Sequence, residues 1–239
     1  MDMAFSALVA QAAAAPEFAL TFLVTSALIV FVPWKATHKP IYALLNSEES
    51  KKDLLTETWR GQKIRELTFV GVSCAILASI VTGAIAWPSE GRVPAVPWST
   101  KALWYSSLIL GLTAISSAMQ QSVALYRLGC YEDGLSRLRA ILGRENRRAD
   151  GRILWTVRWS QMVVWQMPVM LLNFAILLFI SGVIGMLRDR AIKAIEAGGW
   201  LESDDVKIAL VVGVFSGFSL ASYLLGMLLL YYQTFLNSN

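Results

Sequence analysis

The sequence predicts an all-α, polytopic membrane protein, folded as a bundle of five transmembrane helices. Of its 239 residues, 56% are hydrophobic and only 16% are charged, which departs from the balance of soluble domains. The apolar residues form long blocks, and a helix rising about 1.5 Å per residue needs roughly 20 residues to cross the bilayer core. Five blocks without Asp, Glu, Lys or Arg reach or approach that length, at residues 18–34, 67–87, 102–126, 161–187 and 208–235.

The first block is the shortest and lies where a signal peptide would lie. A secretory signal carries positive charge before its apolar run, but no Lys or Arg precedes Lys35. We therefore expect the first block to be a retained span. If it is cleaved or peripheral, four spans remain.

Positive charge in the connections predicts the orientation. Residues 35–66 hold seven Lys and Arg and residues 127–160 hold eight, whereas the alternate connections hold two and four. Because Lys and Arg accumulate in cytoplasmic loops, both basic connections are predicted to be cytoplasmic. The N-terminus is then outside and the C-terminus inside, with residues 1–239 forming a single transmembrane domain.

Both cytoplasmic connections carry helical signals. Residues Ser47 to Ser50 offer a cap for a helix that continues into the second span. In the other connection Tyr131, Leu135, Leu138 and Leu142 recur at helical spacing, which fits either a helix lying on the membrane surface or a solvated connector.

The second connection is also the most basic part of the chain. Its segment GRENRRADGR, which ends at Arg152, is predicted to be an exposed loop, and its charge would attract anionic cytoplasmic lipid. No nucleic-acid motif accompanies this charge, so nucleic-acid binding is not predicted. The residues predicted to contact lipid headgroups are Arg137, Arg139, Arg144, Arg147 and Arg148.

Small residues at four-residue spacing predict close helix packing, because small side chains let backbones approach in lipid. The second span carries such a row, and the fifth carries another. The rows either pack the chain's own bundle or form a self-association surface. Their members are Gly71, Ala75, Ser79 and Gly83 in the second span, and Gly213, Gly217 and Ala221 in the fifth.

Uncharged polar residues follow the third and fourth spans. Amides and hydroxyls in lipid are costly unless hydrogen-bonded, so they should face the bundle interior or water. They predict either interhelical hydrogen bonds or a water-lined path between these spans. The residues are Ser106, Thr113, Ser117, Gln120, Gln121, Gln166 and Asn173. At the span mouths, Glu66 inside and Glu90 outside are either ring charges of an oligomeric pore or ordinary interfacial charges.

Catalytic and ligand-binding signals are lacking in the sequence. No span contains a titratable group of the kind that proton-coupled transport uses, and the single histidine, His38, lies in a connection. Neither a nucleophile motif nor a phosphate loop is present. Cys74 and Cys130 cannot support a disulfide framework. We therefore predict no enzyme activity, cofactor or metal.

Three segments resemble an uncharacterised family of fungal multi-pass membrane proteins with four to five spans. The segments are WRGQKIRELTFVG from Trp59, ALWYSSLILGLTAISSAMQQSVAL from Ala102 and VWQMPVMLLNFAILLFISG from Val164. This resemblance covers the second to fourth spans. It implies a eukaryotic endomembrane or plasma membrane but brings no activity, ligand or catalytic residue with it.

These observations leave three classes of function. The leading expectation is a non-enzymatic membrane protein that acts through helix association with itself or another membrane component. The alternative is a small oligomeric channel lined by the polar face of the third span. A more distant alternative is a lipid-modifying enzyme, with residues 127–160 positioning a headgroup.

Overall fold

The computed structural model describes residues 37–86, 96–147 and 153–196, together with short helical stretches between residues 207 and 226. Apart from one small hairpin, these residues are mostly helical. In chain order the elements are α1 (37–46), α2 (Glu49–Ala86), α3 (Trp98–Gly129), α4 (Gly134–Leu142), β1 (Gly143–Arg147), β2 (Ile153–Val157) and α5 (Trp159–Glu196).

Three of these helices, α2, α3 and α5, are long and apolar enough to cross a membrane. They contain the predicted second, third and fourth spans, except for Trp87, which lies outside the described residues. The first apolar block lies wholly outside them, and the fifth is described only in part. Five spans and the orientation of the termini therefore stay predictions.

Large apolar side chains on the outside of these helices fit immersion in lipid. Phe69 is 70% exposed, Ile109 63% and Met119 64%. Extended exposed apolar surface marks a membrane or partner contact. Inside, α2 contributes a stripe at helical spacing to the core, made of Leu67, Val70, Cys74, Leu77 and Val81.

Side-chain contacts fix the register of the antiparallel helices α3 and α5. Ser107 Oγ donates to the Ala175 carbonyl at 2.6 Å, and Gln121 Nε2 donates to the Val164 carbonyl at 2.7 Å. Near the other end, the rings of Trp104 and Phe179 lie 6.5 Å apart. These contacts fall at matching distances along both helices, so the pair is in direct contact over most of its length.

The remaining elements form a cap at one end of the bundle, which we define as residues 37–66, 130–147 and 153–158. Five apolar side chains, each at most 2% exposed, lie in its core: Ile41, Leu44, Leu45, Leu138 and Leu142. The Asn46 side chain joins α1 to the hairpin, accepting from the Trp155 backbone N–H at 3.1 Å and donating to its carbonyl at 3.0 Å. Most of the two basic connections thus lies at the same end of the bundle.

The helical prediction for the first basic connection is confirmed in part. Helix α2 begins at Glu49, between Ser47 and Ser50, and continues without a break into the predicted second span. The Ser47 hydroxyl donates backward, to the Leu44 carbonyl at 3.2 Å, and so helps to end α1.

The second connection differs from its prediction in two respects. Leu138 and Leu142 of α4 are fully buried in the cap, so protein rather than lipid or water covers the apolar face of this helix. The start of the segment predicted as a basic loop is strand β1, paired antiparallel with β2. Trp155 and Val157 of β2 pack against the cap core, and this long-range contact selects the hairpin.

Candidate interface and polar sites

The small-residue row of α2 lies on a different side of the helix from the buried stripe. Ala75, Ser79 and Gly83 are exposed, and Gly71 is half-buried. A Cβ atom added at Gly71 or Gly83 would meet no other atom within 4 Å. Within the described ranges, this row therefore presents an open surface, and larger apolar residues pack α2 into the bundle.

The row in the fifth block is also open where it is described. Gly213, Gly217 and Ala221 are exposed, and a Cβ atom at either glycine would meet nothing within 4 Å. The packing of either row against another helix stays a prediction.

A close helix approach occurs at a position that we did not predict from the sequence. A Cβ atom at Gly182 of α5 would lie 2.5 Å from Nε1 of Trp104 on α3, so only glycine allows the indole to pack against the backbone here. One turn further, a Cβ atom at Gly185 would lie 3.6 Å from the Thr100 hydroxyl. The signal in the sequence was the short pattern of small residues Ser181, Gly182 and Gly185.

Most of the predicted polar stripe on α3 faces away from the other described helices. Ser106, Thr113 and Gln120 are exposed, and Ser117 is half-buried. The Thr113 hydroxyl donates to the Ile109 carbonyl of its own helix at 2.8 Å. These residues therefore do not line a space between α3 and α5.

Gln121, in contrast, forms a hydrogen bond between α3 and α5. Pro168 lies inside α5, and because proline has no backbone N–H, it cannot donate to the carbonyl four residues earlier. That carbonyl belongs to Val164, and Gln121 Nε2 donates to it at 2.7 Å. A side chain of one helix thus replaces the hydrogen bond that proline removes from another, as unpaired backbone groups in a membrane require.

Gln166 and Asn173 have different surroundings, although both lie on α5. Gln166 is buried, and its Nε2 donates to the hydroxyl of Thr37 at the start of α1. Asn173 is half-buried. The Gln166 contact joins the start of α1 to α5.

The predicted mouth charge Glu66 has a partner inside the cap. Its Oε1 lies 2.8 Å from Nζ of Lys63, whose side chain is only 4% exposed. Burial lowers the pKa of Lys63 below its ordinary value of 10.5, and the Glu66 carboxylate opposes this shift. The other predicted mouth charge, Glu90, lies outside the described residues.

Two of the arginines predicted to contact lipid are occupied by protein partners. Arg139 Nη1 lies 2.6 Å from the Asp53 carboxylate and 3.3 Å from the Thr56 hydroxyl. Arg137 pairs with Asp133 at 2.7 Å and lies 4.7 Å above the Tyr131 ring.

The other three predicted lipid contacts belong to the hairpin segment. Arg144 is exposed on β1. Arg147 ends the same strand, and Arg148 lies outside the described residues.

Neither metal nor disulfide chemistry is indicated in the parts of the chain that the structure describes. No group of three or more His, Cys, Asp and Glu residues in these parts is arranged to hold a metal ion. Cys74 is buried, Cys130 is exposed, and both are free.

Comparison with known proteins adds no family or fold assignment. No family model, curated protein or solved structure matches the chain. The resemblance to fungal multi-pass proteins therefore stays a prediction, and functional arguments depend on the residues themselves.

Proposed function

We propose that this chain is a non-enzymatic integral membrane protein that acts by associating, through the small-residue row of α2, with a helix of a second copy or of another membrane protein. The observation that carries the proposal is the open position of Ala75 and Ser79 between Gly71 and Gly83. The row is four residues in period and lies inside a helix long enough to span the membrane.

Lipid chains are as apolar as leucine side chains, so helices in a bilayer gain little from hydrophobic contact alone. A flat surface of small residues adds backbone proximity and van der Waals contact, and a serine such as Ser79 adds a hydrogen-bonding group. Such a surface is better matched to another helix than to disordered acyl chains.

The test is the molecular mass in detergent of a variant that fills the row, Ala75→Leu combined with Ser79→Leu. We expect the wild-type protein to be an oligomer or a complex, and the variant to be a monomer of unchanged thermal stability. The matched control is Ala102→Leu combined with Ala124→Leu, which adds leucines at exposed positions of α3 and should leave the mass unchanged.

Two results would contradict the proposal. If the variant keeps the wild-type mass, the row is not an association surface. If the variant is a monomer of reduced thermal stability, the row packs against another segment of the same chain, such as the first or fifth apolar block.

A small oligomeric pore is the second candidate, and Gln120 is the observation that favours it. Its amide is exposed in the predicted span, where an unsatisfied amide is costly unless water or a partner meets it. Copies of α3 could therefore line a path with Gln120, Thr113 and Ser106. Ion flux into liposomes that contain the wild-type protein, and that is abolished by Gln120→Leu, would support a pore. If an oligomer inserted into the liposomes in both orientations gives no flux, the pore is contradicted.

A further inference from the structure

Among the described residues, two arginines of the cap, Arg144 and Arg158, have no carboxylate partner, and both belong to one face of the hairpin. Arg144 and Arg158 are exposed, in contrast to Arg137 and Arg139, which are ion-paired. Arg144 lies opposite Thr156 in the ladder. The ladder continues for one more step, because the Arg158 N–H donates to the Leu142 carbonyl at 3.0 Å.

Strand geometry places the two guanidinium groups within reach of one anion. Side chains alternate along a strand, so Thr156 and Arg158 share a face, and Arg144 shares it as the residue opposite Thr156. Arg144 and Arg158 are then diagonal neighbours, about 7 Å apart. In the described strands, this face carries no carboxylate, because Glu145 alternates to the other face.

The register of α3 and α5 places Arg158 just beyond the predicted ends of the third and fourth spans. Gln121 of α3 is hydrogen-bonded to Val164 of α5. Arg127 follows Gln121 by six residues, and Arg158 precedes Val164 by six residues. The two arginines are thus level, each about 9 Å beyond that hydrogen bond. The aromatic residues next to them, Tyr126 and Trp159, are 61% and 64% exposed, which is typical of a membrane–water interface.

We propose that Arg144 and Arg158 bind the headgroup phosphate of an anionic phospholipid in the leaflet next to the cap. Arg144 and Arg158 are about 7 Å apart, and the headgroup layer is about 5–7 Å thick on each side of the hydrocarbon core. One headgroup layer can therefore contain both side chains. Guanidinium groups bind phosphate oxygens in a bidentate manner, and an anion here would offset the repulsion between two exposed cations. This inference does not depend on helix association.

Native mass spectrometry of the full-length protein in detergent provides the test. Phosphatidylserine and phosphatidylcholine are titrated separately into the wild-type protein and into Arg144→Gln combined with Arg158→Gln. We expect the wild-type protein to prefer phosphatidylserine, and the variant to lose about fivefold in phosphatidylserine affinity for each arginine removed. Phosphatidylcholine, whose choline ammonium offsets its phosphate charge, should bind weakly to both proteins and should lose less affinity than phosphatidylserine.

The matched control removes the same charge from cap residues that are already paired. Lys51 pairs with Glu48, and Arg137 pairs with Asp133, so Lys51→Gln combined with Arg137→Gln should retain the preference for phosphatidylserine. Equal losses in both double variants would show a general effect of charge and would overturn the site. Equal affinity of the wild-type protein for both lipids would do the same.

A third arm separates lipid from free phosphate and does not need a variant. Inorganic phosphate at millimolar concentration should not displace phosphatidylserine from the wild-type protein, because the acyl chains beside Trp159 contribute to binding. Displacement by inorganic phosphate would overturn the assignment to a lipid.

Discussion

The cap and the three-helix bundle are stabilised in different ways. In the cap, large aliphatic residues such as Leu138 and Leu142 are fully buried, and exposed positions carry charges such as Glu48 and Lys51. In the bundle, large apolar residues such as Phe69 and Ile109 lie outside. The cap therefore has the polarity pattern of a water-soluble domain, and the bundle has that of a lipid-immersed one.

This difference sets where each region is sensitive to substitution. Burial in water contributes about 25 cal/mol per Å² of apolar surface, so an apolar core can hold the cap together. Between helices in lipid that contribution is largely lost, and the contacts of Gln121 with Val164 and of Trp104 with Gly182 become decisive.

The largest effect is expected for Gly134→Ala in the cap. A Cβ atom at Gly134 would lie 1.8 Å from the Leu128 carbonyl oxygen, and backbone atoms cannot move aside cheaply. We expect a loss of about 3 kcal/mol in unfolding free energy, at the upper end for overpacking, measured by thermal unfolding in detergent. Gly61→Ala is the control, because its Cβ atom would meet nothing within 4 Å. It should be neutral or stabilising by about 0.5 kcal/mol.

A smaller loss is expected for Gly182→Ala in the bundle. The added methyl group would displace the buried indole of Trp104, at a cost of about 2 kcal/mol. Intrinsic tryptophan fluorescence should shift in the folded protein. Gly83→Ala, which adds the same methyl group to open space on α2, should change neither property in the monomer. Wild-type stability of the Gly182→Ala protein would contradict the close approach.

The two adjacent glutamines should behave differently. Gln121→Leu leaves the Val164 carbonyl unpaired and should cost about 1–2 kcal/mol, whereas Gln120→Leu should leave the stability of the monomer unchanged. In a Pro168→Ala background the N–H of residue 168 is restored, so Gln121→Leu should cost less there than in the wild-type protein. A full cost in both backgrounds would show that Gln121 does not act through the Val164 carbonyl.

The smallest effect concerns Lys63. Its folded-state pKa is lowered by burial, so between that pKa and 10.5 the unfolded chain binds more protons than the folded chain. The contribution of Lys63 to stability therefore rises as the pH is raised through this window. Lys63→Met should be neutral or stabilising by up to about 1 kcal/mol at pH 7.

The same variant tests the sign of the Lys63 effect. Unfolding curves recorded from pH 7 to pH 10 should show the stability difference between wild type and Lys63→Met moving in favour of the wild type. A difference that is constant over this range would contradict the burial effect.

Much of the bundle could be predicted from local sequence, and most of the cap could not. Three long apolar helices follow from block length and lack of charge, and the continuous helix α2 follows from the start signal at Ser47 to Ser50. The hairpin depends on contacts between residues far apart in sequence, such as Asn46 with Trp155. The amino-acid composition of either strand alone does not predict these contacts.

Local sequence also could not predict which polar residues make contacts between helices. Periodicity identified Gln120 and Gln121 together, but it does not show that Pro168, on another helix, frees a carbonyl opposite only one of them. Likewise, the small residues of α2 form the longer row, yet the close helix approach occurs at Gly182. Spacing within one helix identifies candidate faces, and only the neighbouring helix determines which face is used.

Thiol labelling in intact membranes tests the central claim most directly, namely that the bundle surface lies in lipid and the cap in water. A water-soluble maleimide should label the exposed Cys130 when it has access to the cap side. It should label Ile76→Cys and Ile109→Cys, made in a Cys130→Ser background, far more slowly. These two isoleucines are 58% and 63% exposed, so labelling of both at the rate of Cys130 would mean that water, not lipid, covers the bundle.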